Sequence, residues 1–375
     1  MRRNLVQICA ALMAAVAVFS GCGVRKAAGN QGGPGGAGLR PDGAQNEITQ
    51  EEEALTWTEK ITELETGLSA VRYEGDYGFD TFLEQGGAAS DSEVIRFLTA
   101  NVILGAADLE LDIRGMGCST ISAQTGQGGY LFGRNFDWNR CEALIVGARP
   151  DGGYASISTV NVDFIRQGGG GLTGLALRND GILTKAALYA PLDGVNEKGL
   201  AVSVNMIQDS ARIDQDTGKP DLTTTTAVRL LLDRAAEVEE ALELLAQYDL
   251  HGSMGMMIHF ALADAGGRSV AVEYIDNEMT VTETPVVTNF YLTEGEKHGI
   301  GTSQSHDRYE SLMERLEEKD TFTAEEMRDA LESVSKKNFG EFESTEWSAV
   351  FDQENRDARY YHREDYTKYY FFAMP

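Results

Sequence analysis

The sequence predicts an α+β protein built in layers. Three observations predict it. Short alternating runs begin at Cys118 and recur to residue 291, in clusters. A long helical pattern over 223–247 separates two of these clusters. No regular strand–helix alternation and no internal repeat runs through the chain, which favours α+β layers over βαβ units. At 375 residues and 42% hydrophobic content there is ample material for a packed core. The charge is −27, from 59 Asp+Glu against 32 Lys+Arg. That excess argues against nucleic acid as a partner, because phosphates are bound by Lys and Arg. It argues equally against a polybasic membrane surface, and otherwise serves solubility.

The N-terminus reads as an address. Arg2 and Arg3 precede a mostly apolar stretch, residues 4–19, which is too short to span a bilayer. It ends in Phe19-Ser20-Gly21-Cys22, which resembles a bacterial lipoprotein signal. That resemblance implies a signal peptide over 1–21, with cleavage before Cys22 and a diacylglycerol on its sulfur. The alternative is an ordinary secretory signal with an incidental cysteine. Either way the protein is exported, and the lipid would hold it on the outer side of a bacterial cytoplasmic membrane or on the outer membrane. Residues 22–46, the lipidated cysteine and a Gly-rich stretch, form a flexible tether.

Residues 47–117 read as a helical pre-segment. Ile48, Leu55, Ile61, Leu64 and Leu68 lie close to one helix face. A second helix starts at Ser90 or Asp91, with Glu93 near the capping-box position and Val94, Leu98 and Val102 along one side. Cys118–Gln124 then alternates as a strand, glycines at 126, 128 and 129 turn the chain, and Tyr130 opens a second strand. Closing that hairpin brings Arg134 and Asn135 beside Cys118, within a residue or two of register, and Asp137 close by. A turn at Val195–Gly199 leads to a strand over 200–206 that ends near Asn205. The helix over 223–247 takes its caps from Thr223–Thr226. Runs at 256–264, 269–276, 279–283 and 286–291 read as an antiparallel meander. Helices follow at about 307–319 and 323–337, and the aromatic end, 347–375, is strand-like.

No phosphate loop, no GxGxxG after a strand, no HExxH and no GxSxG stands out. The run Gly168–Gly171 reads as a flexible surface connection. The four cysteines form no CxxC pair and the five histidines are scattered, so no metal and no cofactor is expected. Cys141 reads as an unreactive core thiol. Cys118 stands apart. Gly115-Met116-Gly117 before it leaves the backbone unhindered, which suits attack of a side chain on its own preceding carbonyl.

Cys118-Ser119-Thr120, Leu131-Phe132-Gly133-Arg134-Asn135-Phe136-Asp137 and Asp193-Gly194-Val195-Asn196-Glu197-Lys198-Gly199-Leu200 together resemble the choloylglycine hydrolase family of linear amide C–N hydrolases. Asp264 with Glu273, Thr288-Asn289 and Ser305-His306-Asp307-Arg308-Tyr309 continue the pattern in order, so the resemblance covers roughly 115–375. It includes bile-salt hydrolases and penicillin V acylases, with acid-ceramidase and isopenicillin-N acyltransferase groups as relatives. It implies a four-layer αββα sandwich of two stacked antiparallel sheets, with the N-terminal-nucleophile domain at 118–375. Autocleavage between Gly117 and Cys118 would make Cys118 the nucleophile. Arg134 and Asp137 would sit against its sulfur and amine, Asn205 and Asn289 would serve the oxyanion, and Arg308 would order the site. Bile-salt hydrolases start almost at their cysteine, whereas 117 residues precede it here, which favours a precursor.

The chemistry stands on its own. A thiolate attacks the amide, and the free α-amine of Cys118 is its base, titrating near 7.7–8.0 when unperturbed. An acyl-thioester forms, the amine leaves, and water completes hydrolysis of a small-molecule N-acyl amide. A homo-oligomer is compatible with this reading. Two alternatives compete with it. One is an unprocessed Cys-His hydrolase or acyltransferase, with Cys118 paired to His306. The other is a non-catalytic, surface-tethered binding lipoprotein.

Overall fold

The computed structural model describes residues 53–101, 117–167, 177–337 and 343–375. Contacts divide the chain after Gln50, and all of the described residues fall in the unit Glu51–Pro375. The signal, Cys22, the tether, Val102 and the run Gly168–Gly171 lie outside the described residues.

Nine strands form one sheet. They are β1 (Thr62–Glu65), β2 (Leu68–Gly75), β5 (Ala143–Pro150), β6 (Ser156–Asn161), β7 (Asp193–Asn196), β8 (Ala201–Ile207), β11 (Met257–Ala263), β12 (Ser269–Ile275) and β13 (Glu278–Glu283), in that spatial order. Six form the other, in the order β14 (Val286–Val287), β3 (Gly117–Gln124), β4 (Tyr130–Trp138), β15 (Ser344–Asp352), β16 (Asp357–His362) and β17 (Tyr370–Ala373). A short parallel pair, β9 (Asp221–Thr223) and β10 (Asp249–His251), stands apart.

Side-chain alternation sorts the faces of the six-stranded sheet. Cys118, Phe132, Phe136, Trp347 and Phe351 point inward and join the main core with β5 to β8. Ile121, Ala123, Leu131 and Val350 point outward, under two helices, α7 (Ser303–Glu318) and α8 (Ala324–Ser333), through Leu312, Met327 and Leu331. On the far side, α5 (Thr224–Arg234) covers β7 and β8, and α4 (Asp180–Ala187), beside α3 (Val162–Gln167), covers β2 and β5. The order helix, sheet, sheet, helix is the four-layer αββα sandwich expected. One pair departs from the antiparallel rule, since β2 runs parallel to β5 over eight positions, Leu68↔Ala143 to Gly75↔Pro150.

That pair also corrects the pre-segment. Residues 62–75 are strands, not part of a helix over 47–68. Gly67 adopts φ +91° between β1 and β2, a left-handed turn that glycine takes without strain. The pre-segment therefore shares the core of the domain that follows, with Leu68, Val71, Phe79 and Phe82 in the same cluster as Val146. Its helices are α1 (Phe79–Glu84) and α2 (Asp91–Asn101). Val94 and Leu98 are buried; Ser90 Oγ accepts from Glu93 N at 3.4 Å, but the Glu93 carboxylate accepts from Ala89 N at 3.0 Å, one residue before the Ser90 N that a capping box uses.

The helix over 223–247 divides into α5 and α6 (Val238–Leu245), because Ala235 is extended. Tertiary partners make the break. Asp264 accepts from Val238 N at 3.0 Å, and Asn196 Nδ2 donates to Leu232 O and Ala235 O. Periodicity cannot report such remote caps. β14 also leaves the meander. It pairs with β3, Val287 opposite Thr120, and so carries the next residues to Cys118.

Candidate active site

β3 and β4 place the first groups. Their register sets Cys118 opposite Phe136, Thr120 opposite Arg134 and Gly117 opposite Asp137. The hairpin thus brings Cys118 and Arg134 to the same face, within the register expected. Arg134 and Asp137, three apart on one strand, face opposite sides and do not pair. Arg134 Nε donates to Asp193 Oδ2 at 3.2 Å and NH1 to Asn205 Oδ1 at 2.9 Å. Desolvation pulls the Arg134 guanidinium down, but Cys118 and Asp193, by charge and hydrogen bonding, carry it above its ordinary value. Among the described residues its NH2 has no N or O partner.

Asp137 belongs to a second cluster, centred on the Cys118 backbone. Arg308, from α7, donates through NH1 to Cys118 O, Ser119 Oγ and Asp137 Oδ2, each at 3.0 Å. Its NH2 donates to Asn289 Oδ1 at 2.8 Å. Asn289 Oδ1 also accepts from Cys118 N at 2.7 Å. Both neighbours only donate, so the orientation of the Asn289 amide is settled by its network. Thr345 Oγ1 donates to the other Asp137 oxygen at 2.7 Å. Cys118, Arg134, Asp137 and Asn205 are fully buried, with Asn289 and Arg308 nearly so.

All six residues of the expected site are therefore brought together around Cys118 N, O and side chain. The two asparagines differ from the simplest expectation. Asn289 Nδ2 donates to Met206 O at 2.6 Å, and Asn205 Nδ2 to Val287 O at 3.1 Å and Thr288 O at 3.4 Å. Both amides are thus turned to main-chain carbonyls, Asn205 to two of them, and only Asn289 keeps a further N–H without a partner among these bonds.

The Cys118–His306 pairing is not formed. His306 Nε2 donates to Gly299 O at 2.9 Å and its ring stacks on Phe290. The other imidazoles are also engaged elsewhere: His251 with Asp214 and Asp221, His259 with Glu273 and Thr288 O, His298 with Leu292 O, His362 with Glu65. Cys141 is a free buried thiol pushed well up by burial, then by Glu346, which is the inert state expected.

Several supporting residues escaped sequence reasoning. Asp193 opens the Asp193–Leu200 motif, and it holds Arg134 and accepts from Trp347 Nε1 at 2.9 Å. Ser305 Oγ accepts from Asn289 N at 2.6 Å. Behind the turn that carries Asn289, His259 reaches Glu273 at 3.0 Å and Thr288 O at 2.8 Å. Burial pushes Glu273 up, but His259 and the N–H groups of Leu292 and Thr293 outweigh it and bring it down to about 2. Long-range contacts of this kind leave no local pattern in a sequence.

Residues 186–365 match the model of the acyl-coenzyme A:6-aminopenicillanic acid acyl-transferase family. The matched segment contains Asn205, Asn289 and Arg308 and begins after Cys118. A penicillin V acylase of Pectobacterium atrosepticum is 32% identical over 107 residues, 26% of this chain and 28% of that relative. The chain thus spans little more than a quarter of the length of the curated relative it matches. Among solved structures, a conjugated bile acid hydrolase of Clostridium perfringens aligns over 68% of this chain and 92% of its own, at 16% identity and TM-score 0.49. A penicillin V acylase of Agrobacterium tumefaciens aligns over 65% and 83%, at 20% identity and TM-score 0.45.

Proposed function

We infer the function from one premise, that the chain belongs to the choloylglycine hydrolase family and its acyltransferase relatives. Its reading is a cysteine amidohydrolase that cuts itself between Gly117 and Cys118. It then cleaves the C–N bond of a small linear N-acyl amide. One observation carries this reading. Asn289 accepts from the Cys118 backbone nitrogen, Arg308 links Asn289 and Cys118 O to Asp137, and no imidazole of the described residues reaches the sulfur. Such a site suits a nucleophile whose base is its own α-amine.

The steps follow from the contacts. In the uncut chain Cys118 is fully buried, so an amide substrate reaches it only once the junction has opened. The new amine keeps its place against Asn289 Oδ1, with Asp137 held nearby by Arg308 and Thr345. It takes the thiol proton as sulfur attacks the substrate carbonyl, and returns it to the departing amine. Arg134 shares the Cys118 face of the hairpin, where its charge favours the thiolate. The free amide proton of Asn289 receives the oxyanion, and Asn205 joins it by releasing Thr288 O, a donor of this kind being worth about 2.7–4 kcal/mol. Water then hydrolyses the acyl-thioester. If a second amine takes the acyl group instead, the same site is an acyltransferase.

The pre-segment stays bound after cleavage in this reading. β2 is hydrogen-bonded along β5, Trp57 Nε1 donates to Ala373 O at 2.8 Å, Tyr77 hydroxyl bonds to buried Asp233, and Met254 N donates to Asp91 at 2.6 Å. The first 21 residues act as an export signal and Cys22 as a lipid anchor, tested by the mass of an N-terminal piece starting at Cys22 with its acyl chains. Substrate turnover is tested with conjugated bile salts, penicillin V, N-acyl homoserine lactones and N-acyl amino acids, quenching in acid for mass analysis. An acyl adduct on Cys118 is expected with the preferred substrate. Turnover without an adduct, undiminished in Cys118→Ala, would remove Cys118 from the reaction.

A further inference from the structure

Lys336 has no part in the mechanism above, yet it stands at the bond that must break. A Cβ built on Gly117 would lie 2.4 Å from Lys336 Nζ and 2.8 Å from Asp137 Oδ2. With a C–C bond of about 1.5 Å, the ammonium is no farther than about 4 Å from Gly117 Cα. Only the Gly117 carbonyl carbon separates that atom from Cys118 N. The side chain is 12% exposed and held in place. Nζ bonds to Glu343 Oε1 and lies 4.0 Å from Asp137 Oδ2. Its backbone is pinned as well, by Lys336 N to Thr345 Oγ1 at 2.9 Å and Thr345 N to Lys336 O at 3.0 Å. The same Thr345 hydroxyl donates to Asp137. An ammonium has three donors, and Glu343 and Asp137 account for two at most.

We propose that Lys336 is a catalytic residue of the self-cleavage, the acid that protonates Cys118 nitrogen as the Gly117–Cys118 bond breaks. This rests on the self-cleaving reading of Cys118. The sulfur adds to the Gly117 carbonyl carbon, and the thiol proton passes to the carbonyl oxygen. The carbonyl re-forms, the C–N bond breaks, and its electron pair stays on nitrogen. Lys336 gives that nitrogen a proton and regains one, through solvent, from the oxygen. The products are a Gly117 thioester and a free Cys118 amine. Water then releases the Gly117 carboxylate and the thiol. The step needs an acid because an amide nitrogen leaves poorly as an anion. It also accounts for glycine at 117, since a side chain there would displace both Lys336 and Asp137.

The test follows cleavage of the full chain by intact mass over time, in wild type, Lys336→Ala and Lys336→Arg. Wild type is expected to cut at Gly117–Cys118. Lys336→Ala should cut about 10²-fold or more slowly, the range of a lost general acid. Added ethylammonium should restore its rate with saturation. Lys336→Arg keeps the charge but gives up no proton near neutrality, and should stay slow. Lys336→Ala cutting at the wild-type rate, or Lys336→Arg matching wild type, overturns the acid role alone. A wild-type chain that never cuts overturns the self-cleaving reading and this step with it. Should Lys336→Ala fail to fold, Lys336→Gln and Lys336→Arg carry the same comparison.

Discussion

At the scale of single residues, the site is two clusters joined at Cys118. Arg134, Asp193 and Asn205 serve the side-chain face, while Arg308, Asp137 and Asn289 serve the backbone nitrogen and carbonyl. Arg308 ties the second cluster together with four hydrogen bonds to Cys118, Ser119, Asp137 and Asn289. Arg308→Ala would leave the Asp137 carboxylate buried without its guanidinium, which is more damaging than losing one neutral contact. Self-cleavage should fall about 10²-fold or more, read as the precursor fraction over time. Arg308→Lys should recover only part, since an ammonium cannot fork to several acceptors. The Cys118–Arg134 neighbourhood was legible because a glycine turn and period-two alternation define a hairpin from local sequence. The Arg134–Asp193 and Arg308–Asp137 pairings were not, because their partners lie 59 and 171 residues apart on other elements.

At the scale of elements, the sheet edges and crossings do the positioning. β14 crosses from the meander to β3, and the turn after it delivers Asn289 to Cys118 N. The His259–Glu273 pair supports that turn from below, through Thr288 O and the N–H groups of Leu292 and Thr293. Glu273 sits at about 2 in the fold against an ordinary 4.5. A carboxylate lowered on folding adds stability above its unfolded value and loses it as pH falls through the folded one. That contribution is complete above about 4.5 and disappears towards about 2. Glu273→Gln should melt lower than wild type at pH 7, and the gap should close between pH 4.5 and 2. A gap constant with pH would assign the loss to packing instead. The helix over 223–247 and the pre-segment show the limits of periodicity. Ile61, Leu64 and Leu68 keep a helical spacing, but Thr66-Gly67 between them is the turn signal that marks β1 and β2.

At the scale of the whole molecule, the order of strand and helix runs predicts α+β layers, and the αββα stacking came from the family resemblance. What no local pattern carries is that the chain before Cys118 is part of the same sandwich. Residues 53–101 supply two strands and aromatic core, so cleavage at 117/118 would leave two chains sharing one hydrophobic cluster. Such an interface, continuous with a folded core, separates only on unfolding.

The most direct test purifies the full chain, passes it through size exclusion under native conditions, and measures intact masses of the peak after denaturation. A self-cleaving chain gives a piece that begins at Cys118 with a free α-amine and a partner that ends at Gly117, both from one native peak, while Cys118→Ala stays whole. An active wild-type enzyme whose chain remains continuous through Gly117–Cys118 would contradict it.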